Sequence, residues 1–273
     1  MTRGVKISPT LSERVARVSE SCLKSSERTK LYLSWIIPSY NEEKRIEKTV
    51  REVDAYLKSK NFTGGYEILV VDSSSKDTTD EKVRNLRSSI SHLQLFTVEN
   101  KGKGWAVREG MLKAQGDIRI FSDADNATAP EYFDKMIPLF EKGFRVVISS
   151  RSPLDAPGAS QDIPESLLRR FAGKIGNLII QTFAVPGVWD TQNGFKAFSV
   201  KAAEDIFSRL VITGFAFDIE VLAIARKRGY KIGIIPVKWK HDPDSKVTLK
   251  AYINVFLDVF KIRWNLILNR YHL

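Results

Sequence analysis

Two carboxylates one residue apart, in Phe121-Ser122-Asp123-Ala124-Asp125-Asn126-Ala127, carry the most specific chemistry in the chain. They end an apolar stretch, Asp117 to Ser122, that reads as a strand. In an extended or turning segment, residues i and i+2 lie on one side, so both carboxylates can face one cation. Hard oxygen ligands suit Mg2+ or Mn2+, and two protein carboxylates leave coordination positions open for phosphate oxygens. An acidic surface turn has the same spelling. The pair gains meaning from the loops around it.

Those loops require alternating elements. Leu31–Ile37 is an apolar run stopped by Pro38, a buried strand. Asn41 then offers an N-cap, with Glu42 and Glu43 in the first turn of a helix through Lys60. Tyr66–Val71 is a second strand followed by the polar Asp72–Thr79 loop, and His92–Val98 is a third. Asn100-Lys101-Gly102-Lys103-Gly104 opens a helix from Trp105 to Ala114, the strand before Asp123 follows, and a helix over Pro130–Lys142 leads to a fifth strand, Phe144–Ile148. Such alternation implies an α/β fold, a doubly wound and mostly parallel sheet flanked by helices, with ligands beyond the carboxyl ends of the strands. The loops after Ile37, Val71, Val98 and Ser122 fall on that edge.

Residues 152–164, with three prolines and Gly158, read as a mobile loop, and Glu165–Phe183 as a helix carrying Arg169, Arg170 and Lys174. A helix is expected near Lys201–Arg209, and paired short strands around Pro236 within Tyr230–Trp239. From Val247 a helix sets Tyr252, Ile253, Phe256, Phe260, Trp264, Ile267 and Tyr271 on one side, with Lys250, Lys261, Arg263 and Arg270 among or beside them. It either packs on the core or lies in a membrane interface. The expected organisation is a flexible arm over 1–30, a catalytic domain over 31–246 and a C-terminal amphipathic helix over 247–273.

The net charge of +11, from 43 Lys and Arg against 32 Asp and Glu, favours polyanionic partners: nucleic acid, an anionic membrane surface or phosphorylated substrates. Helix-turn-helix, zinc-finger and RNA-binding signatures are absent, so nucleic acid is not expected. No apolar run approaches the roughly 18 residues of a membrane span, residues 1–30 are too polar for a signal peptide, and Cys22 is the single cysteine. The expectation is a cytoplasmic protein, peripheral on the inner face of the membrane.

Ile36-Ile37-Pro38-Ser39-Tyr40-Asn41-Glu42, the Asp72 loop, Lys103-Gly104-Trp105-Ala106-Val107 and Asp123-Ala124-Asp125 together resemble family 2 glycosyltransferases of the GT-A fold. Asp190-Thr191-Gln192-Asn193-Gly194-Phe195-Lys196 and Phe215-Ala216-Phe217-Asp218-Ile219-Glu220 look like the branch acting on dolichyl phosphate and other polyprenyl phosphates. The resemblance implies transfer of a sugar from a nucleotide diphosphate to a polyprenyl phosphate with inversion, UDP-glucose being favoured over GDP-mannose as donor. A GT-A enzyme with a soluble or polysaccharide acceptor is the alternative, and a basic scaffold a more distant one.

Carried onto this chain, the resemblance implies that Pro38, Tyr40 and Glu42 line the nucleoside pocket and that Asp72 holds base or ribose. Asp123 and Asp125, with Ala124 between them, would hold Mg2+ or Mn2+, while Arg151 and one of Arg169 or Arg170 clamp phosphates. Lys103 could reach a phosphate or ribose, Lys246 the donor diphosphate, and His241 the metal shell, although a surface histidine reads as well. Asp190 would organise the sugar pocket or cap a turn; Asp218 would act on the sugar or cap a helix. A sugar hydroxyl acceptor needs a base, whereas a phosphate monoester with a second pKa of about 6 is already largely ionised at neutral pH.

Overall fold

The computed structural model describes residues 32–60, 62–162, 176–240 and 249–273, without the side chains of 240 and 249–252. The expected N-terminal arm, Arg169, Arg170, Lys174, His241 and Lys246 lie outside the described residues. In chain order the elements are β1 (Leu33–Ser39), α1 (Ile46–Lys60), β2 (Tyr66–Asp72), α2 (Thr79–Leu86), β3 (Leu93–Thr97), α3 (Lys103–Lys113) and β4 (Ile118–Ser122). A 3-10 turn, Pro130–Tyr132, then leads to α4 (Phe133–Glu141), β5 (Val146–Ser150) and β6 (Ser160–Asp162). After α5, helical over 176–183, come β7 (Phe195–Ser199), α6 (Val200–Phe207), α7 (Phe217–Lys227), β8 (Ile232–Pro236), β9 (Lys238–Lys240) and α8 (Leu249–Ile267).

Seven strands form one sheet in the order β3-β2-β1-β4-β7-β5-β8. Every pairing is parallel except those of β7, which runs antiparallel to both β4 and β5. Successive residues of a strand face opposite sides. Accordingly Trp35 and Ile37 of β1 join one core with α1, α2 and α4, while Ile36 joins a second with α3, α6, α7 and α8. Trp35 is central to the first: its ring lies 5.7 Å from that of Phe195 and 6.2 Å from that of Phe133, and its indole N–H donates to Ser122 Oγ at 2.8 Å. That bond fixes the end of β4, one residue before Asp123.

Several expected boundaries shift for local reasons. Pro38 does not stop β1, because the ladder to β4 ends at the Ile36–Phe121 pair and the missing N–H leaves no β4 partner unmet. Asn41 is not an N-cap; it takes a left-handed φ of 54°, its side-chain oxygen accepts from the Lys76 N–H, and α1 begins only at Ile46. The strands around Pro236 do not pair with each other: β8 pairs with β5, and β9 pairs with β6 in a separate two-stranded sheet. Part of the expected loop over 152–164 is therefore strand. Tyr271 leaves the outer stripe of α8, because the helix ends at Ile267 and left-handed Asn269 turns the chain back so that Tyr271 is buried.

The buried Tyr271 hydroxyl donates to Glu220 of α7 at 2.7 Å, and the N–H groups of Val211 and Ile212 donate to the same carboxylate. Glu220 thus ties the C-terminal tail to the turn before α7. Burial outweighs these donors and pushes its carboxyl up to about 7 from 4.5. An acid whose pKa is raised by folding contributes stability below its unfolded pKa and loses it as pH rises through the folded value. Between pH 4.5 and about 7 the wild type should therefore lose stability relative to Glu220→Gln, by up to about 3 kcal/mol at 1.36 kcal/mol per pH unit. Thermal midpoints of the two proteins across that range measure this; parallel profiles would contradict it.

Candidate active site

The loops after β1, β2 and β4 meet at the carboxyl edge of the sheet, as the alternation requires. Asp72, at the end of β2, accepts from Ser39 Oγ at 3.0 Å and from both Ser75 Oγ and Ser75 N–H. Its buried carboxylate organises the first two loops. The Asn41 and Glu42 N–H groups donate to Ser75 Oγ and Thr79 Oγ1, which closes the first loop on the second. Pro38 is buried, Tyr40 is exposed beside it, and Glu42 holds Arg45 at 2.7 Å.

Asp123 follows β4, and its N–H donates to the Gly194 carbonyl at 3.1 Å, just before antiparallel β7. A Cβ at position 194 would stand 2.3 Å from the Asp123 carboxylate, so only glycine lets the two segments approach. Lys103 Nζ lies 2.6 Å from Asp123 Oδ1. The lysine is aimed there by two glycines: a Cβ at Gly102 would meet the Thr213 carbonyl at 2.6 Å, and one at Gly104 would meet Phe217 Cβ at 2.6 Å. Burial works against the Lys103 charge, but Asp123, Asp218 and Asp125 outweigh it and hold the ammonium above its ordinary value.

Asp125 accepts from the Ala127 N–H at 3.0 Å across a turn made by left-handed Asn126, and the buried Ala124 carbonyl between the two aspartates accepts from Thr49 Oγ1 at 2.6 Å. Burial, and then the neighbouring Asp123 charge, push the Asp125 carboxyl up. Two carboxylates that repel each other, with a lysine ammonium already against one, fit a divalent cation. Among the described residues no group of three His, Cys, Asp or Glu is arranged to hold a metal. Asp123 and Asp125 are the two described carboxylates that such a cation could share.

The other expected site residues pair with one another. Asp190 receives both ends of the Arg151 guanidinium, Nε at 2.8 Å and Nη2 at 2.7 Å, as well as the Arg151 N–H. Burial raises the Asp190 carboxyl, but Arg151 more than reverses this and holds it below the ordinary range. The Arg151 guanidinium also lies 5.3 Å from the Trp239 ring centre. Asp218 does not cap α7: its Oδ1 is held by Lys196, whose ammonium also donates to the Asn193 carbonyl at 2.6 Å. Burial drives Lys196 down and Asp218 up, each toward its neutral form.

Lys196 was legible as a signal, since a lysine within Phe195-Lys196-Ala197-Phe198 is a cation in a buried strand and must find a partner. Asp155 carried no such signal. Its Oδ2 accepts from Ser150 Oγ at 2.6 Å and from the Asp190 N–H at 2.8 Å, which braces the Arg151–Asp190 pair from within the 152–164 segment.

A glycosyl transferase family 2 model matches residues 34–207, more than half of the chain. Curated relatives include a dolichyl-phosphate beta-glucosyltransferase of Trichomonas vaginalis, 33% identical over 86% of this chain and 71% of the relative. Those of Dictyostelium discoideum (32%, covering 87% and 76%) and Homo sapiens (32%, covering 85% and 74%) bear the same name. Among solved structures, glucosyl-3-phosphoglycerate synthase from Mycobacterium tuberculosis in complex with UDP superposes with a TM-score of 0.64 at 19% identity, over 99% of this chain and 87% of the other. Mannosyl-3-phosphoglycerate synthase from Rubrobacter xylanophilus gives 0.65 at 17% identity, over 96% and 79%. These structures share the GT-A fold seen here.

Gly194→Ala is expected to displace the Asp123 carboxylate; if that carboxylate is a cation ligand, Mn2+ binding should weaken roughly 10-fold or more, the scale of losing a group that orients a ligand. Calorimetric Mn2+ titration beside circular dichroism checks it; unchanged affinity in a folded variant would contradict a cation site that depends on the close approach of Gly194 to Asp123.

Proposed function

The chain belongs to glycosyl transferase family 2, and on that premise we propose that it transfers glucose, with inversion, from a nucleotide diphosphate to a polyprenyl phosphate. UDP-glucose is the favoured donor, ahead of GDP-mannose; Mycobacterium tuberculosis glucosyl-3-phosphoglycerate synthase, which shares the fold, has been crystallised with Mn2+ and UDP-glucose. In this reading Pro38, Tyr40 and Glu42 bound the nucleoside, and Asp72 shapes its pocket through Ser39 and Ser75. Asp123 and Asp125 would hold Mg2+ or Mn2+, which when bound supplies positive charge to the departing diphosphate. Lys103 adds a second positive charge beside the same carboxylates. Arg169 and Arg170, with His241 and Lys246, belong to the proposal on the sequence alone.

The observation that carries the choice of acceptor is how few carboxylates of the site are free among the described residues. Asp190 is held by Arg151, Asp218 by Lys196 and Asp72 by two serines, while Glu220 is buried among backbone donors. A sugar hydroxyl attacking the donor would need one of them as base. A phosphate monoester arrives with its charge in place and needs only cations to seat it. The site therefore suits a phosphate nucleophile, in keeping with the dolichyl phosphate named in the relatives.

Purified protein should move glucose from UDP-glucose to detergent-dispersed polyprenyl phosphate in the presence of Mg2+ or Mn2+. Chelation should stop transfer, and Asp123→Ala or Asp125→Ala should each lower the rate about 100-fold or more, the scale of one lost electrostatic stabiliser. Transfer to a sugar acceptor but not to the lipid phosphate would overturn the proposal. A preference for GDP-mannose would replace the donor and leave the mechanism standing.

A further inference from the structure

Helix α8 is apolar on two opposite sides. At 100° per residue, Val259, Ile262 and Leu266 fall on the side packed against α7 and the core, whereas Ile253, Leu257, Trp264 and Ile267 fall on the other. These outward side chains are not covered: Leu257 is 61% exposed, Trp264 58% and Ile267 60%. A helix that only packed on the core would need one apolar stripe. The outer stripe continues onto α5, where the Phe183 ring lies 5.3 Å from Phe260 and Leu178 is exposed.

Charge selects the partner. By the same geometry Lys261 and Arg263 stand on the two shoulders of the outer stripe. Beside it, between α7 and α8, lies a groove of about 480 Å3 in which Arg226, Lys227 and Arg263 surround a floor of Ala184 and Ala223. Apolar side chains including a tryptophan, flanked by cations and next to a cationic groove, match a bilayer interface with anionic headgroups. Among the described residues no helix is long and apolar enough to cross a membrane, so contact would be from the side.

The face is also joined to the site. Asn177 and Gln181 of α5 donate through their side-chain amides to the Trp189 and Val188 carbonyls, immediately before Asp190 and its partner Arg151. We propose that the outer face of α8 and α5, with its basic groove, docks on an anionic lipid bilayer and so sets the Arg151–Asp190 side of the site near the membrane surface. The choice of a lipid surface over a protein partner rests in part on the proposed polyprenyl acceptor.

The test uses the full chain and vesicles without polyprenyl phosphate, of phosphatidylcholine alone or with phosphatidylglycerol, read by co-sedimentation and tryptophan emission. Binding is expected to anionic vesicles, with a blue shift absent in Trp264→Phe. Leu257→Ser/Ile267→Ser and Lys227→Glu/Arg263→Glu should each weaken it roughly 10-fold or more, reversal of two cations near an anionic surface being ample for that. Transfer to detergent-dispersed acceptor should be unchanged in both. Failure to bind, equal binding to neutral vesicles, insensitivity to both double variants, or a dimer that covers the face would overturn the inference. Vesicle binding without sugar transfer would sustain docking and sink the proposed function; transfer without vesicle binding would do the reverse.

Discussion

Three carboxylates, Asp123, Asp125 and Asp218, are gathered around Lys103 beyond the end of β4, and two lysines, Lys103 and Lys196, stand against them. Lys103 is delivered by the start of α3 and Lys196 by β7, elements on opposite sides of Asp123 in the sequence. Packing carboxylates together out of water is costly unless cations arrive with them. The antiparallel run of β7 meets this need. It pairs Lys196 with Phe121, two residues before Asp123, and brings Gly194 under the Asp123 carboxylate. A parallel strand here would approach with the opposite polarity, and the Asn193–Lys196 turn would fall at the wrong end of the sheet.

This arrangement also decides what the site can receive. Among the described residues, Asp72, Asp123, Asp190 and Asp218 are engaged by protein cations or hydroxyls, which leaves a centre built to bind and stabilise charge rather than to remove a proton. The Arg151–Asp190 pair is braced by Asp155, and the segment just before Asp190 is tied to α5 through Gln181.

Much of this was legible in the residues. The alternation through the first four strands, the loops at their carboxyl ends and the Asp123–Asp125 pair follow from hydrophobic period and turn chemistry, which act locally. The second half was harder. Strand β7 lies directly after a polar motif and is short, and nothing local marks a strand as antiparallel; its direction is set by what β4 and β5 need between them. Pro38 within β1 was misleading for a related reason, because the rule against proline in sheets depends on where the neighbouring ladder ends. Asp190 and Arg151 were each legible as polar residues of the site. That they hold one another is a tertiary fact, as is the role of Asp155.

In the proposed site Asp123 and Asp125 share one divalent cation whose remaining positions are completed by a nucleoside diphosphate. The most direct measurement is the electron paramagnetic resonance of Mn2+ titrated into the protein with and without UDP. One bound Mn2+ per chain is expected, held more tightly when UDP is present, with loss of that site in Asp125→Asn and the fold intact by circular dichroism. Full Mn2+ binding in that variant, or binding in the wild type indifferent to UDP, would contradict it.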